Sequence, residues 1–404
     1  MSQMLRTALS ALLLAAVVGG CGEAGGNAPA ATVRDSAGVT IVENVFPDSA
    51  DVAWWTLAAT PVLDIGGAEA EEADALFQVA DALRLSDGRV VVANGGSADV
   101  RYYTVDGAHL RTTGRRGEGP GEFQRPRLLL PLAGDSVLVV DGRRASVLDP
   151  EGAFARDFLI GGTGPSVGAV GRLADGTMLA TANVMRMEEL VDGLQRIDIG
   201  LVRLAVDGTV LDTLVVVPGA ERVIRTEGTG GQISRISIMT PPFAKSTVYA
   251  AGGEVLVVGT QDAPQLEVYS TDGTLRRIIR TGASMPPVTE DHLEAWYQRQ
   301  RAAMPAELRA QFAERPDYAD AGKVVPPYAA VELDDAGNIW ILDYDDRINP
   351  AGGWSVYDAE GRLVARVRMP ETFRPQHIGQ DFVLGVERDD LDVEHVRLYP
   401  LIRE

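Results

Sequence analysis

Short apolar runs separated by small polar turns recur along most of the 404 residues. The clearest unit spans residues 83–123, LRLSDGRVVVANGGSADVRYYTVDGAHLRTTGRRGEGPGEF. Runs at 83–85 and 90–92 flank Asp87-Gly88, and runs at 100–105 and 110–113 flank Asp106-Gly107. An Asp-Gly pair between two strand-like runs is a hairpin signal, because a two-residue turn needs positive φ and glycine adopts it without a clash at Cβ. The unit therefore predicts a four-stranded antiparallel meander, with one turn after the first strand and another after the third.

The same punctuation returns down the chain. First turns fall at Asp87-Gly88, Gly134-Asp135, Asp175-Gly176, Gly252-Gly253, Ala336-Gly337 and Gln380-Asp381; third turns fall at Asp106-Gly107, Glu151-Gly152, Asp207-Gly208, Asp272-Gly273 and Glu360-Gly361. The sixth unit stops after strands at 382–387 and 395–401, and an orphan strand at 60–66 supplies its missing outer member. Six units then close into a ring without a long bare sheet edge. Two separations between first turns are much longer than the rest. Residues 220–246 are read as a long loop; the competing reading, a missed blade element, rests on the alternation at Ile233, Ile236 and Ile238. Residues 284–325 carry helix signals: Thr289 precedes Glu290 and Asp291, Leu293, Trp296 and Tyr297 share a face, and Pro305 opens a second turn set with Leu308 and Phe312 four apart. Trp296 and Tyr297 are read as the docking face of that insert.

Composition supports a single all-β body: 44 glycines suit many tight turns, and 46% hydrophobic residues leave material for a core. The net charge of −20 makes the general field repulsive to phosphate, so nucleic acid is excluded as a partner. The only cysteine is Cys21, which rules out an intrachain disulfide. It follows Arg6, an apolar run at 8–18 too short to span a bilayer, and Gly19-Gly20. Val18-Gly19-Gly20-Cys21 resembles the bacterial lipobox, which implies a signal peptide at 1–20 and lipidation of Cys21. Residues 21–36 are then a flexible tether and 37–404 the folded body. The expected location is the cell envelope, extracytoplasmic and lipid-anchored.

The string from Gly114 to Phe123, GRRGEGPGEF, followed by Pro126, the Gly134-Asp135 turn and Val137-Leu-Val-Val-Asp141, resembles an NHL-type repeat. Pro327, the run Asp335-Ala-Gly-Asn-Ile-Trp-Ile-Leu-Asp343 and Val356-Tyr-Asp-Ala-Glu-Gly361 repeat it. With the lipobox, the whole resembles bacterial six-bladed propeller lipoproteins of unassigned activity, over roughly residues 60–400. The resemblance implies an all-β, six-bladed β-propeller in which an N-terminal strand closes the last blade, with a small helical insert between blades four and five. It implies no function, since propellers host binding proteins and enzymes alike.

Residues with chemical potential are few. Gly117-Glu-Gly-Pro-Gly121 lacks the Gly-Lys-Ser/Thr of a phosphate loop and joins strand to strand. Asp343-Tyr-Asp345-Asp346-Arg347 has Ile348 where a calcium loop wants glycine. His109, His292, His377 and His395 lack zinc spacing, and only His377 sits on an inner strand where it can face the channel. No Gly-x-Ser-x-Gly elbow occurs. Acids at the channel end of inner strands would mark an enzyme, and Asp81 and Glu332 are the two that can be named. No catalytic or metal residue is assigned, and no cofactor. The long segments all belong to blade connections and second turns, on the face opposite the Asp-Gly turns, so the site is expected there. Its candidates are Arg115, Arg116, Arg143, Arg144, Asp343, Asp345 and Arg347. The expected function is a monomeric, membrane-tethered binding module for a glycan, peptide or envelope protein; the alternative is a metal-dependent propeller hydrolase or lyase with an axial cation.

Overall fold

Each Asp-Gly pair of the first and third turns occupies a three-residue loop, one residue longer than expected. At the first, Gly88 N–H donates to Leu85 O at 3.0 Å and Leu85 N–H to Arg89 O at 2.8 Å. Only the glycine has positive φ, 92°, while the Asp87 carboxylate caps the turn by accepting Arg89 N–H at 3.0 Å. This is a type I turn closed by a left-handed glycine, whose twist suits antiparallel strands as well as the two-residue turn does. The computed structural model describes residues 31–45, 52–161, 167–183, 191–229, 232–309, 318–344 and 353–403. The expected signal peptide at 1–20 and Cys21 lie outside them, as do Asp345, Arg347 and Phe312.

The described strands form six antiparallel meanders whose inner strands are Val79–Arg84, Leu128–Pro131, Val167–Arg172, Val248–Gly252, Tyr328–Leu333 and Phe373–Ile378. They surround one axis as the blades of a β-propeller. Each pair of neighbouring blades encloses its own apolar cluster. One is Leu83, Val91, Tyr102, Leu129, Val137 and Leu148 between blades one and two; another is Trp340, Val356, Ile378, Val383 and Tyr399 between five and six. The seam from blade six to blade one is filled in the same way, by Leu63, Ile65, Val79, Val90, Leu384 and Val396. Because strands are apolar on both faces in this arrangement, the alternation of a half-exposed sheet gives way to continuous runs such as Val90–Asn94, buried throughout.

The N-terminal segment crosses the outer edges of three blades. β1 (Thr32–Ser36) and β2 (Val39–Glu43) form a hairpin, and β2 adds in parallel to Leu275–Arg280 of blade four. β3 (Ala53–Leu57) pairs in parallel with Leu363–Arg368 of blade five and also with the end of Glu394–Arg403 in blade six. β4 (Leu63–Gly66) is the fourth strand of blade six, with Ile65 opposite Val396, as the orphan run at 60–66 predicts. Among the described residues the first strand begins at Thr32, inside the expected tether of 21–36, because β1 satisfies its backbone against β2 although its side chains stay exposed. Asn44 then stitches the segment down: its amide donates to Gly361 O at 2.9 Å and accepts Leu363 N–H at 2.9 Å.

Residues 220–246 are not a loop. The outer strand of blade three, Val210–Thr229, runs into that range and pairs with a fifth strand, Gln232–Met239. Pro218-Gly219 reads as a break, but a register shift between Arg196 and Asp198 absorbs it, and Arg196 Nε donates to Gly219 O at 2.7 Å. The insert at 284–325 is helical as expected: α1 (Glu290–Ala303) starts at a Thr289 capping box and α2 (Ala306–Arg309) follows Pro305. Tyr297 is buried and Trp296 packs edge-on against Tyr318 at 5.4 Å. The buried Phe243 joins this insert to blade three, its ring 6.0 Å from that of His292. No helix among the described residues is long and apolar enough to cross a membrane.

Candidate functional site: an axial cavity

All six inner strands line one cavity of about 970 Å³ on the axis. Backbone irregularity shapes its wall. Register shifts fall between Val79 and Asp81, Ala169 and Gly171, Tyr328 and Ala330, and Pro375 and His377, so four of the six inner strands carry a bulge. A bulge reverses the facing of the residues after it, which re-aims Asp81 and His377. At Gly171 the strand approaches its neighbour so closely that a Cβ would lie 2.8 Å from Ala251 O. The cavity reaches the face of the Asp-Gly turns, where Ala174, Gly253 and Ala336 form part of its rim.

Asp81 is buried and accepts the N–H of Leu129 at 2.7 Å and of Ala82 at 2.8 Å. Burial pushes its carboxyl up to about 7 against those two donors, with the Glu332 charge adding to the rise. Glu332, on blade five, is exposed to the cavity while protein surrounds it on the other sides, and that partial desolvation pushes it up to about 7 as well. His377 Nδ1 accepts Arg84 N–H at 3.1 Å, which places the ring hydrogen on Nε2, where it meets both Asp335 oxygens at 3.1 Å. The imidazole thereby ties together blades one, five and six. Asp334 is consumed structurally, accepting Trp340 Nε1–H at 3.0 Å and Asn338 Nδ2–H at 2.8 Å. Among the described residues no three His, Cys, Asp or Glu side chains converge as metal ligands.

The residues expected to carry the site lie elsewhere. Arg115 pairs with Glu122 at 2.8 Å, and Arg116 donates to Gly96 O at 2.9 Å. Arg144 donates to the carbonyls of Glu118, Gly119 and Glu122, gripping the glycine-rich connection from the adjacent turn that also holds Arg143. Asp343 is engaged by Arg366 and by Ser355 Oγ at 3.2 Å. The structure gathers Arg115, Arg116 and Arg144 about one loop and leaves Asp343 on blade five; none of these lines the cavity. Asp81, Glu332 and His377, the inner-strand residues singled out from sequence, all line it, whereas Arg127, Arg172 and Glu254 escaped notice. Their only signal was position, at or beside an end of an inner strand.

No family model matches the chain, and no curated protein does. Solved structures do. A member of the DUF4221 family from Bacteroides vulgatus shares 10% identity over 87% of this chain and 98% of its own, at a TM-score of 0.50. A Bacteroides fragilis protein described as exported shares 11% over 90% and 100%, at 0.48. A gluconolactonase from Xanthomonas campestris shares 14% over 80% and 87%, at 0.39. The Bacteroides vulgatus likeness extends to the fold and no further.

Proposed function

We propose that this chain is a lipid-anchored, extracytoplasmic propeller of the six-bladed, NHL-like kind that acts as a binding module and takes its ligand into the axial cavity. The cavity itself carries the reading: about 970 Å³, walled by apolar and ionisable side chains drawn from all six blades, it has the size of a small-molecule or peptide site. Val18-Gly19-Gly20-Cys21 supports the anchor. The rival position is the opposite face, with Arg115, Arg116, Arg143, Arg144, Asp343, Asp345 and Arg347.

Thermal-shift measurements with chitin oligosaccharides and short free peptides separate the two. Ala174→Trp with Ala336→Trp narrows the cavity rim, and Arg115→Glu with Arg116→Glu alters the opposite face. A ligand-induced shift lost only in the first variant supports the cavity. Loss only in the second moves the site to the connecting loops, and no shift with any probe sinks the small-ligand reading.

One observation favours the enzymatic alternative. Asp81 and Glu332 both sit near 7, where a carboxyl exchanges protons readily at neutral pH. Elemental analysis of the purified protein tests the metal-dependent version: a stoichiometric metal supports it, and a metal-free protein that still turns over a sugar lactone or polysaccharide refutes the metal requirement.

A further inference from the structure

Ionisable side chains reach the cavity wall from every blade, and their signs are segregated. Blades two and three contribute Arg127 and Arg172; blades four, five and one contribute Glu254, Glu332 and Asp81. Blade six contributes His377, already held by Arg84 N–H and Asp335. Several of these groups have nothing to bind. The Arg127 guanidinium makes no hydrogen bond or ion pair among the described residues, nor do the Glu254 and Glu332 carboxyl groups. Arg172 Nε is buried with no acceptor. In a six-membered ring blade two faces blade five, so Arg127 and Glu332 stand on opposite sides of the axis.

Unlike charges with freedom to meet would pair and remove their own field. Here the rigid inner strands of blades two and five keep Arg127 and Glu332 on opposite walls, which leaves a fixed dipole across a cavity of about 970 Å³. The complementary ligand carries one anion and one cation separated by a comparable span. A free amino acid is much smaller than this cavity. Ala80, Ala82, Leu83, Leu129, Leu130 and Leu173 add apolar wall between the charged groups.

We propose that the axial cavity binds a short peptide with both termini free, its carboxylate toward Arg127 and Arg172 and its ammonium toward Glu332. This rests on the cavity being the binding site. Charge-assisted hydrogen bonds at both ends fix the orientation, and the preformed wall spares the ordering that a flexible site would require.

Native mass spectrometry at pH 8 tests this with a synthetic tripeptide library bearing free termini, beside the same library N-acetylated and the same library C-amidated. The free library is retained, and each cap lowers retention by about tenfold or more. Glu332→Gln abolishes the penalty of acetylation while keeping that of amidation, and Arg127→Gln does the reverse. Neither side chain makes an internal hydrogen bond, so both variants fold, which circular dichroism checks. Equal retention of capped and free libraries overturns the proposal, as does no retention of the free library. If chitin oligosaccharides still give a shift that the narrowed rim abolishes while no tripeptide is held, the cavity reading stands and the peptide assignment falls. If nothing depends on the rim, both fall.

Discussion

The Glu394 carboxylate accepts the backbone N–H of Val79 at 2.8 Å, across the seam where the last blade meets the first. Glu394 is 5% exposed, and its other oxygen receives Arg388 at 3.0 Å. Glu394→Ala leaves a buried N–H without an acceptor and removes one of the two carboxylates that hold Arg388, the other being Asp392 at 2.8 Å, so a loss of about 2–3 kcal/mol is expected in urea unfolding. Glu394→Gln keeps an acceptor oxygen and should lose less than half as much. Equal losses would mean that the seam depends on the charge rather than on the bond to Val79.

β4 belongs to the core and β1 does not. Ile65 is 2% exposed within the cluster between blades six and one, whereas Val33 is 52% exposed. Ile65→Ala should cost about 2–4 kcal/mol through lost burial and the cavity left behind, and Val33→Ala about 0.5 kcal/mol or less. Denaturant midpoints for the two variants decide it, and similar values would refute closure of the ring by β4.

The two raised carboxyls give stability a defined pH dependence. Asp81 and Glu332 ionise in the folded protein only near 7, against ordinary values of 3.8 and 4.5. Between about 4 and 7 the folded state therefore binds more protons than the unfolded chain, and the contribution of these groups, complete below about pH 4, is lost as pH rises to 7. Glu332→Gln mimics the protonated form and breaks no hydrogen bond. It should melt higher than the parent at pH 8, with the difference shrinking toward pH 5. A constant difference across that range would show that Glu332 does not titrate as described.

Anchoring is tested at Cys21. Stable attachment needs more than one acyl chain on that residue, since a single chain holds a protein only marginally. Cys21→Ser should move the protein from the membrane fraction to the soluble one. Sedimentation with membranes at the parental level would disprove lipidation at this site.

The meander, the number of units and the closing strand at 60–66 were legible because hairpins are local: an Asp-Gly pair between apolar runs specifies its own turn, and the orphan strand at Leu63–Gly66 matched a vacancy in the last unit. The α1 start at Thr289 was legible for the same reason, since a cap is written within four residues. Longer-range features were not. Whether Pro218-Gly219 ends a strand depends on the partner strand shifting register opposite it, and whether Trp54-Trp55 form β3 depends on the open edge of Leu363–Arg368, hundreds of residues away. The cavity was half legible. Asp81, Glu332 and His377 stood out as polar residues on apolar strands, but the bulges that re-aim Asp81 and His377 leave no mark in the sequence. Arg127, Arg172 and Glu254 lie at or beside strand ends and belong to no motif. Only closure of six blades about one axis brings them to a common wall, because that convergence depends on the ring and not on any one blade.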